Sequence, residues 1–390
     1  IKGLNIKVSS SYNKLLSNSQ KLSYSKSINP YQNTLPSAYF MENVLEGWNV
    51  EPQADYTRAI SRGILNVLAG TTFQSNSFNQ PYYLVATNYT SDALLTSPSA
   101  AGSLRVYTFS SQYKYQSVFG RMNYKWDDKY ILNANYRWDA SSKFGINNRY
   151  GSFASAGAAW IFSQEAFMQS LSQVISFGKL RASYGTSGND QISNYQYMDT
   201  YSTSYYGYNG VGAIIPSRIA NPDLKWEVSK KREVGLELGF LKDRILLTGA
   251  WFLNKTNNPL VQGPLSTVTG FPTSFMNLPA TLKQQGMEYS INAQPVKRKN
   301  FSWSTTFNIT FADTKLASFP SIQGTSYAYT NVVGKSMSGL YGYQFMGIDP
   351  TSHLPYFLDA NKNGTTSFTT ETGLMANGLG DYVYFGKSNP

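Results

Sequence analysis

The sequence contains no cysteine and a single histidine, His353. The absence of cysteine excludes disulfide frameworks, thiolate metal sites and thiol catalysis. No run of about eighteen apolar residues occurs, so a transmembrane helix is excluded as well. Only 14% of the residues are charged, and the scattered Asp and Glu residues are better explained as polar surface than as a general acid and base. We therefore expect neither an enzyme nor a bound cofactor or metal.

Aromatic residues are abundant, with 30 Tyr, 22 Phe and 7 Trp. In the segment 301–311, FSWSTTFNITF, Phe301, Trp303, Phe307, Ile309 and Phe311 share one parity and alternate with Ser, Thr and Asn. Side chains on a strand alternate between two faces, so one face of this segment is apolar and the other is polar. A tilted strand of about ten residues also crosses a bilayer. The segment therefore has the pattern of a transmembrane β-strand.

The same alternation recurs along the chain. Segments 116–126 and 130–139 predict a hairpin with a tight turn at Asp127 and Asp128, because Asp favours turns. Further strands are predicted at 153–162, 179–185, 234–240 and 287–293, with a weaker one at 65–73. Residues 245–253 are apolar on both parities, so their faces are not assigned, and the polar stretch 9–55 is predicted to be mostly loop.

These features predict an all-β fold, a transmembrane antiparallel β-barrel, with on the order of a dozen strands in this chain. Short turns are expected in the periplasm, and long loops such as 186–223 and 314–390 outside the cell. A soluble sandwich or solenoid does not readily explain the many aromatics or the asymmetry of turns and loops. The chain starts inside an apparent strand and stops without a closing aromatic strand, so we expect an internal piece of a longer polypeptide, spanning 1–390 as one partial barrel.

The formal net charge is +11. The basic residues are scattered singly or in short clusters such as 230–232 and 297–299, which is not the footprint of a nucleic-acid-binding surface. Contact with outer-membrane lipid and acidic lipopolysaccharide, or with a polar solute, is favoured instead.

Several segments, in this order and spacing, resemble the SusC/RagA family of TonB-dependent outer-membrane transporters of Bacteroidetes. They are RWDASSKFGINNRYGSF at 137–153, SYGTSGNDQI at 183–192, NPDLKWE at 221–227, GLELGFL at 235–241, QQGMEYSI at 284–291 and GLYGYQFMGIDP at 339–350. The sequence departs from the family pattern at Ala140, where the family usually has Gly, and at Gln284 and Gln285, where it usually has Asn-Lys.

The resemblance implies a plugged barrel of about twenty-two strands in the Gram-negative outer membrane, of which this chain supplies roughly half. The plug, the TonB box and the final strands would lie outside this chain. The resemblance also implies import of an oligosaccharide or oligopeptide, a SusD-like surface lipoprotein and TonB as partners, and it allows a homodimer of the two-component complex.

Candidate substrate contacts come from one outer loop and from the polar strand faces. Tyrosine rings stack on sugars or pack against peptides, although in a loop they also serve to knit neighbouring loops together. The candidates are Tyr205, Tyr206, Tyr208, Arg137, Arg181 and Glu288, with Arg121, Lys179 and Glu237 as further lining residues.

Asp359, Asn361, Asn363 and Gly364 resemble half of a calcium loop, but Thr370 stands where the motif needs an acidic ligand, which favours an Asx-rich turn.

A scaffold role in an envelope complex, or a passive porin or adhesin, is the alternative function to energised import.

Overall fold

The computed structural model describes residues 2–29, 31, 34–203, 211–320, 322, 325–360, 362, 364, 366 and 381–388. Among these residues, no helix is both long and apolar enough to span a membrane. The secondary structure is almost entirely β-strand, with a few short 3-10 turns in the connections.

The described strands, in chain order, are β1 Leu4–Ser23, β2 Ser37–Ile60, β3 Gly63–Thr87, β4 Ser103–Trp126, β5 Tyr130–Ser141, β6 Tyr150–Trp160, β7 Ile175–Asn189, β8 Thr200–Thr203, β9 Ile214–Arg218, β10 Glu227–Phe240, β11 Ile245–Asn257, β12 Leu260–Pro264, β13 Thr273–Asn277, β14 Thr281–Lys297, β15 Ser302–Ser318, β16 Gly339–Tyr343, β17 Phe345–Ile348, β18 Pro355–Phe357 and β19 Tyr382–Lys387. The 3-10 turns are Ser25–Ser27, Asp92–Leu94, Pro98–Ala100, Phe162–Gln164, Ala166–Leu171, Thr267–Thr269 and Ser326–Tyr329.

One antiparallel sheet of 11 strands dominates the structure, in the order β1-β2-β3-β4-β5-β6-β7-β10-β11-β14-β15. The other strands form two-stranded sheets in the connections, pairing β8 with β9, β12 with β13, β16 with β19 and β17 with β18. The described residues show no pairing between β1 and β15, so the sheet is open. The predicted all-β antiparallel architecture is confirmed, as is a strand number close to a dozen.

The register of the sheet separates an apolar face from a polar face, because residues directly opposite each other on antiparallel strands project to the same side. Phe311 lies opposite Met287, Met287 opposite Trp251, and Trp251 opposite Val234. All four side chains are exposed, although they are large and hydrophobic. The apolar face is therefore continuous across these four strands.

The register also assigns the faces of residues 245–253, which the sequence pattern left open. Trp251 belongs to the apolar face, so Leu246 and Phe252 belong to the polar face. There Phe252 lies over Gly286, with a ring carbon 2.8 Å from where a Cβ on that glycine would stand, and Leu246 lies beside Gly239. Apolar side chains on the polar face thus fill space that neighbouring glycines leave.

One end of the sheet carries short connections, and we call it the short-turn end. Asp127 and Asp128 have φ of 53° and 55°, and the Lys129 N–H donates to the Trp126 carbonyl at 3.0 Å, which confirms the predicted tight turn. Aromatic rings gather here, with Trp126 and Tyr130 centred 5.4 Å apart. Such rings are typical of the boundary between lipid and water.

Glu165, in the connection between β6 and β7 at the short-turn end, accepts three hydrogen bonds. The donors are the Tyr130 hydroxyl at 2.7 Å, Lys129 Nζ at 3.0 Å and Trp160 Nε1 at 3.1 Å. These bonds, the one from Tyr130 first, lower the pKa of Glu165 to about 2.

The prediction that residues 9–55 are mostly loop is wrong. All of β1 pairs with β2, from Leu4 opposite Tyr56 to Ser23 opposite Ser37. At ~3.4 Å per residue, strands β1 to β4 run for about 70–85 Å, far more than a bilayer crossing needs. Their halves away from the short-turn end carry polar and apolar residues on both parities, so no clean alternation marks them in the sequence, although backbone hydrogen bonds hold them as strands.

The opposite end carries the long connections, and we call it the long-loop end. Two predicted loops are partly strand there: β7 extends to Asn189 within 186–223, and β15 extends to Ser318 within 314–390. A single sheet has no interior, so many buried side chains lie where connections pack together.

One hydrophobic cluster of this kind is rich in aromatic residues, and we call it the loop cluster. It consists of the buried residues Phe144, Phe153, Ile192, Leu224 and Trp226.

Candidate functional site

The polar face carries a ladder of ion pairs between β7 and β10. Lys179 Nζ lies 3.1 Å from Glu237 Oε1, Arg181 Nε lies 3.1 Å from the same oxygen, and Arg181 also pairs with Glu233. Lys179 and Glu237 are directly opposite in the register, which brings the charges together. Two cations and two carboxylates neutralise each other, so the ladder is a polar wall without net charge.

A cavity of about 720 Å³ opens on the polar face next to this ladder. Its polar lining includes Asn133, Asn135, Ser183, Lys231, Glu233, Asn254, Gln284, Glu288 and Thr310, and Phe252 and Ala250 add apolar surface. Asn254 Nδ2 donates to Gln284 Oε1 at 3.1 Å, so two amides are already oriented across neighbouring strands. The cavity can offer both donors and acceptors to a polar solute.

Of the charged side chains that line this cavity from the polar face, Glu288 and Lys231 are the accessible ones. Both are exposed, and neither makes an ion pair or side-chain hydrogen bond within the described part of the chain. Glu233, which also lines the cavity, is held by Arg181. One carboxylate and one ammonium group therefore remain available to a ligand.

Arg137 lies two residues beyond Asn135, toward the long-loop end. Its guanidinium donates to Asp139 Oδ1 at 2.6 Å and to Ser117 Oγ at 2.9 Å, and it also donates to the Tyr115 hydroxyl. It lies 5.3 Å from the centre of the Phe119 ring. This network fixes Arg137 between β4 and β5, and its donors are largely occupied by protein groups.

The motif at 221–227 holds the long loops together. Trp226 Nε1 donates to the Arg149 carbonyl at 3.0 Å, and Asn221 Nδ2 donates to the Phe275 carbonyl at 2.8 Å. The Glu227 carboxylate accepts the Leu260 N–H at 2.9 Å and Asn189 Nδ2 at 3.2 Å. One short segment thus joins its own connection, between β7 and β10, to the connections between β5 and β6 and between β11 and β14.

The structure brings only some of the predicted site residues together. Glu288 and Arg181, through its partner Glu233, lie at the cavity, while Arg137 lies beside it in its own network. Of the other lining candidates, Arg121 Nη2 donates to Asn66 Oδ1 at 3.4 Å. Tyr205, Tyr206 and Tyr208 fall outside the described residues, as do Asn361 and Asn363 of the calcium-like segment.

The described tyrosines of the same loop divide between two roles. The Tyr195 hydroxyl accepts the Gln112 N–H at 2.8 Å, and Tyr197 packs on the loop cluster. Tyr201 is instead exposed. Lys231, Asn254 and Gln284 also line the cavity but were not among the predicted site residues, although the parity of Lys231 with Glu233 was a usable signal.

Residues 2–388 match the family described as TonB dependent receptor-like, beta-barrel. The TonB-dependent receptor P3 of Formosa agariphila is 29% identical over 315 residues, which is 77% of this chain and 31% of that protein. The TonB-dependent receptor SusC of Bacteroides thetaiotaomicron is 25% identical over 373 residues, 86% of this chain and 36% of that protein. The chain thus spans about a third of the length of these relatives.

Among solved structures, the RagAB peptide transporter superposes with a TM-score of 0.82 at 22% identity, covering 100% of this chain and 42% of that one. A second RagAB structure, described as the closed-closed state of the peptide importer, superposes with a TM-score of 0.77 at 21% identity over 95% of this chain and 42% of that one. These likenesses establish that the open sheet has the fold of part of such a barrel.

Proposed function

Because this chain belongs to the TonB-dependent receptor-like β-barrel family, with SusC and RagA as its relatives, we propose that it forms part of the wall of an energised nutrient importer. The family resides in the outer membrane and is not enzymatic. The apolar face of the sheet then meets lipid and the polar face lines the lumen. The short-turn end lies in the periplasm and the long-loop end outside the cell.

The observation that carries the proposal is the polar cavity on the lumen face. Its amides, together with Lys231 and Glu288, can bind an oligosaccharide through hydroxyl groups or an oligopeptide through amides and charged ends. The RagAB structures are described as a peptide transporter, and the free pair of opposite charges here supports the same class of solute. No covalent chemistry is needed, because transport only requires binding that is reversible.

A SusD-like surface lipoprotein is the partner we propose at the long-loop end. Support comes from the β8–β9 hairpin, where Val211, Ile214 and Ile215 are exposed together with Tyr201. Exposed apolar side chains of this density mark interaction sites, and aromatic residues are enriched in the centres of interfaces. TonB would act from the periplasm on a part of the polypeptide beyond this chain.

The site is tested with Glu288→Gln and Lys231→Gln in the full-length receptor, by measuring binding of oligopeptides and oligosaccharides. Each change should weaken binding of a charged oligopeptide about tenfold, since it removes one charge-assisted hydrogen bond. Asp128→Asn and Lys242→Gln at the short-turn end remove the same charges away from the cavity and should leave binding unchanged. If the four variants bind all solutes equally, the cavity is not the binding site.

A further inference from the structure

Four lysines lie directly opposite one another on neighbouring strands of the main sheet. Lys230 of β10 is opposite Lys255 of β11, Lys255 is opposite Lys283 of β14, and Lys283 is opposite Lys315 of β15. We call these residues the lysine row. Strands are ~4.8 Å apart, so the row extends for about 14 Å across the sheet.

The lysine row belongs to the apolar, lipid-meeting face. Each lysine has the parity of an exposed apolar residue four positions closer to the membrane centre, such as Val234, Met287 and Phe311. Four residues of strand correspond to about 14 Å. The row therefore lies just beyond the extracellular edge of the apolar band, at the level of the lipid headgroups.

The protein itself does little to balance this charge. Like charges directly opposite each other on antiparallel strands destabilise a sheet. Lys315 has one ion pair, 3.9 Å from Asp313, but Asp313 is bound more closely by Lys387 at 3.1 Å. Within the described residues, Lys230, Lys255 and Lys283 have no acidic partner.

A fifth cation on the same face adds to the imbalance. Arg232 lies between Lys230 and Val234 in the strand, two residues from each, and its guanidinium stands 5.6 Å from the centre of the Tyr184 ring. Within the part of the chain that the structure describes, this guanidinium makes no side-chain hydrogen bond or ion pair, so its donors remain available to an anion. The positive charge is therefore concentrated where the apolar band ends.

We propose that the lysine row, with Arg232, binds the phosphate groups of a phosphorylated glycolipid of the outer leaflet. One lipid molecule can satisfy both parts of this surface, since its acyl chains lie against Val234, Trp251 and Met287 while its phosphates meet the amines above them. An acidic partner protein would use the amines but not the apolar residues beneath them. Phosphate binding would also relieve the repulsion between opposed lysines.

The test compares two triple variants of the full-length receptor in detergent, titrated with bisphosphorylated lipid A and followed by native mass spectrometry. Lys230→Gln, Lys255→Gln and Lys283→Gln together should weaken binding at least tenfold. The control, Lys297→Gln, Arg298→Gln and Lys299→Gln, removes three cations from the short-turn end and should bind as the unchanged receptor does. Lipid A without phosphates should bind the unchanged receptor as weakly as the row variant binds the phosphorylated lipid.

The unfolding temperature, measured with and without lipid, provides a second readout. It distinguishes a lipid site from lysines that only contribute to the stability of the sheet. Without lipid, the row variant should unfold at the same or a higher temperature than the unchanged receptor, because opposed charges have been removed. Added phosphorylated lipid A should raise the unfolding temperature of the unchanged receptor and control only. If the triple variant cannot be folded, Lys255→Gln alone should show a smaller loss of the same kind.

Three results would overturn the proposal: equal lipid affinity in both triple variants, affinity that does not depend on the phosphates, or loss of an acidic surface protein from the row variant with lipid binding unchanged. None of these outcomes depends on whether the receptor imports a nutrient. The lipid site and the transport function can therefore fail separately.

Discussion

Phe307 offers the sharpest test of which face of the sheet meets lipid. It lies opposite Ile291 on the apolar face, while its neighbour Asn308 lies opposite Ser290 on the polar face. Phe307 is six residues from Phe301 near the short-turn end and six from Asp313 at the other edge of the apolar band. Six residues at ~3.4 Å, tilted by about 45°, rise about 14 Å, so Phe307 lies close to the bilayer midplane.

Arginine at the midplane of a barrel's lipid face costs about 2–4 kcal/mol, and the loss of the Phe307 side chain from lipid adds to that cost. We therefore expect Phe307→Arg to lower the free energy of folding into bilayers by at least about 2 kcal/mol, and Asn308→Arg to change it little. Phe307→Leu is the control, since it keeps an apolar side chain at the same site.

The assay is urea titration of the full-length receptor in vesicles, with tryptophan fluorescence and gel mobility as the readouts. If Asn308→Arg is as costly as Phe307→Arg, or if neither has an effect, the assignment of the two faces is wrong.

Three further outcomes follow from particular contacts. Glu165→Gln should lower the free energy of unfolding at neutral pH. The pKa of Glu165 is lowered in the folded protein, so its hydrogen bonds stabilise the fold above the ordinary Glu pKa of about 4.3. The difference in stability between the variant and the unchanged protein should shrink as the pH falls toward about 2. Phe144 is fully buried, and its ring centre lies 5.2 Å from that of Trp226. Phe144→Ala should therefore destabilise the long loops by about 3–5 kcal/mol. Hydrogen exchange should become faster in these loops but not in β11. Gly286→Ala should impair folding, because its Cβ would stand 2.3 Å from the Phe311 carbonyl oxygen. Gly270 has open space around it but a φ of 76°, so Gly270→Ala should lower the free energy of unfolding by only about 1 kcal/mol.

The sequence was informative wherever one strand face is apolar and the other polar. Residues 301–311 show this alternation plainly, and their exposed apolar side chains confirm it. The alternation disappears in the outer halves of β1 and β2, where polar and apolar residues occur on both parities, so pairing there depends on backbone hydrogen bonds that leave no pattern. It was ambiguous in β11, because Leu246 and Phe252 occupy space beside glycines on other strands.

The site depends on which residues of neighbouring strands lie opposite each other, and this pairing cannot be read from the local pattern of one strand. Arg181 and Glu288 are on the parity expected for a lumen, but only the contacts between strands show that Arg181 is paired with Glu233 and Glu237 while Glu288 remains accessible. The lysine row likewise needs three successive registers to become visible. Strand alternation is a local property, whereas register is set by turns and bulges along the whole sheet.

Solute uptake by cells that carry the full-length receptor, measured with and without TonB, decides whether the protein is an energised importer. With a solute that the purified receptor binds, we predict uptake that requires both TonB and the copurifying surface lipoprotein, and that falls with Glu288→Gln. Uptake that continues unchanged without TonB would indicate a passive pore, and a receptor that binds no solute but holds other envelope proteins together would indicate a scaffold. Either result would contradict the proposed import function.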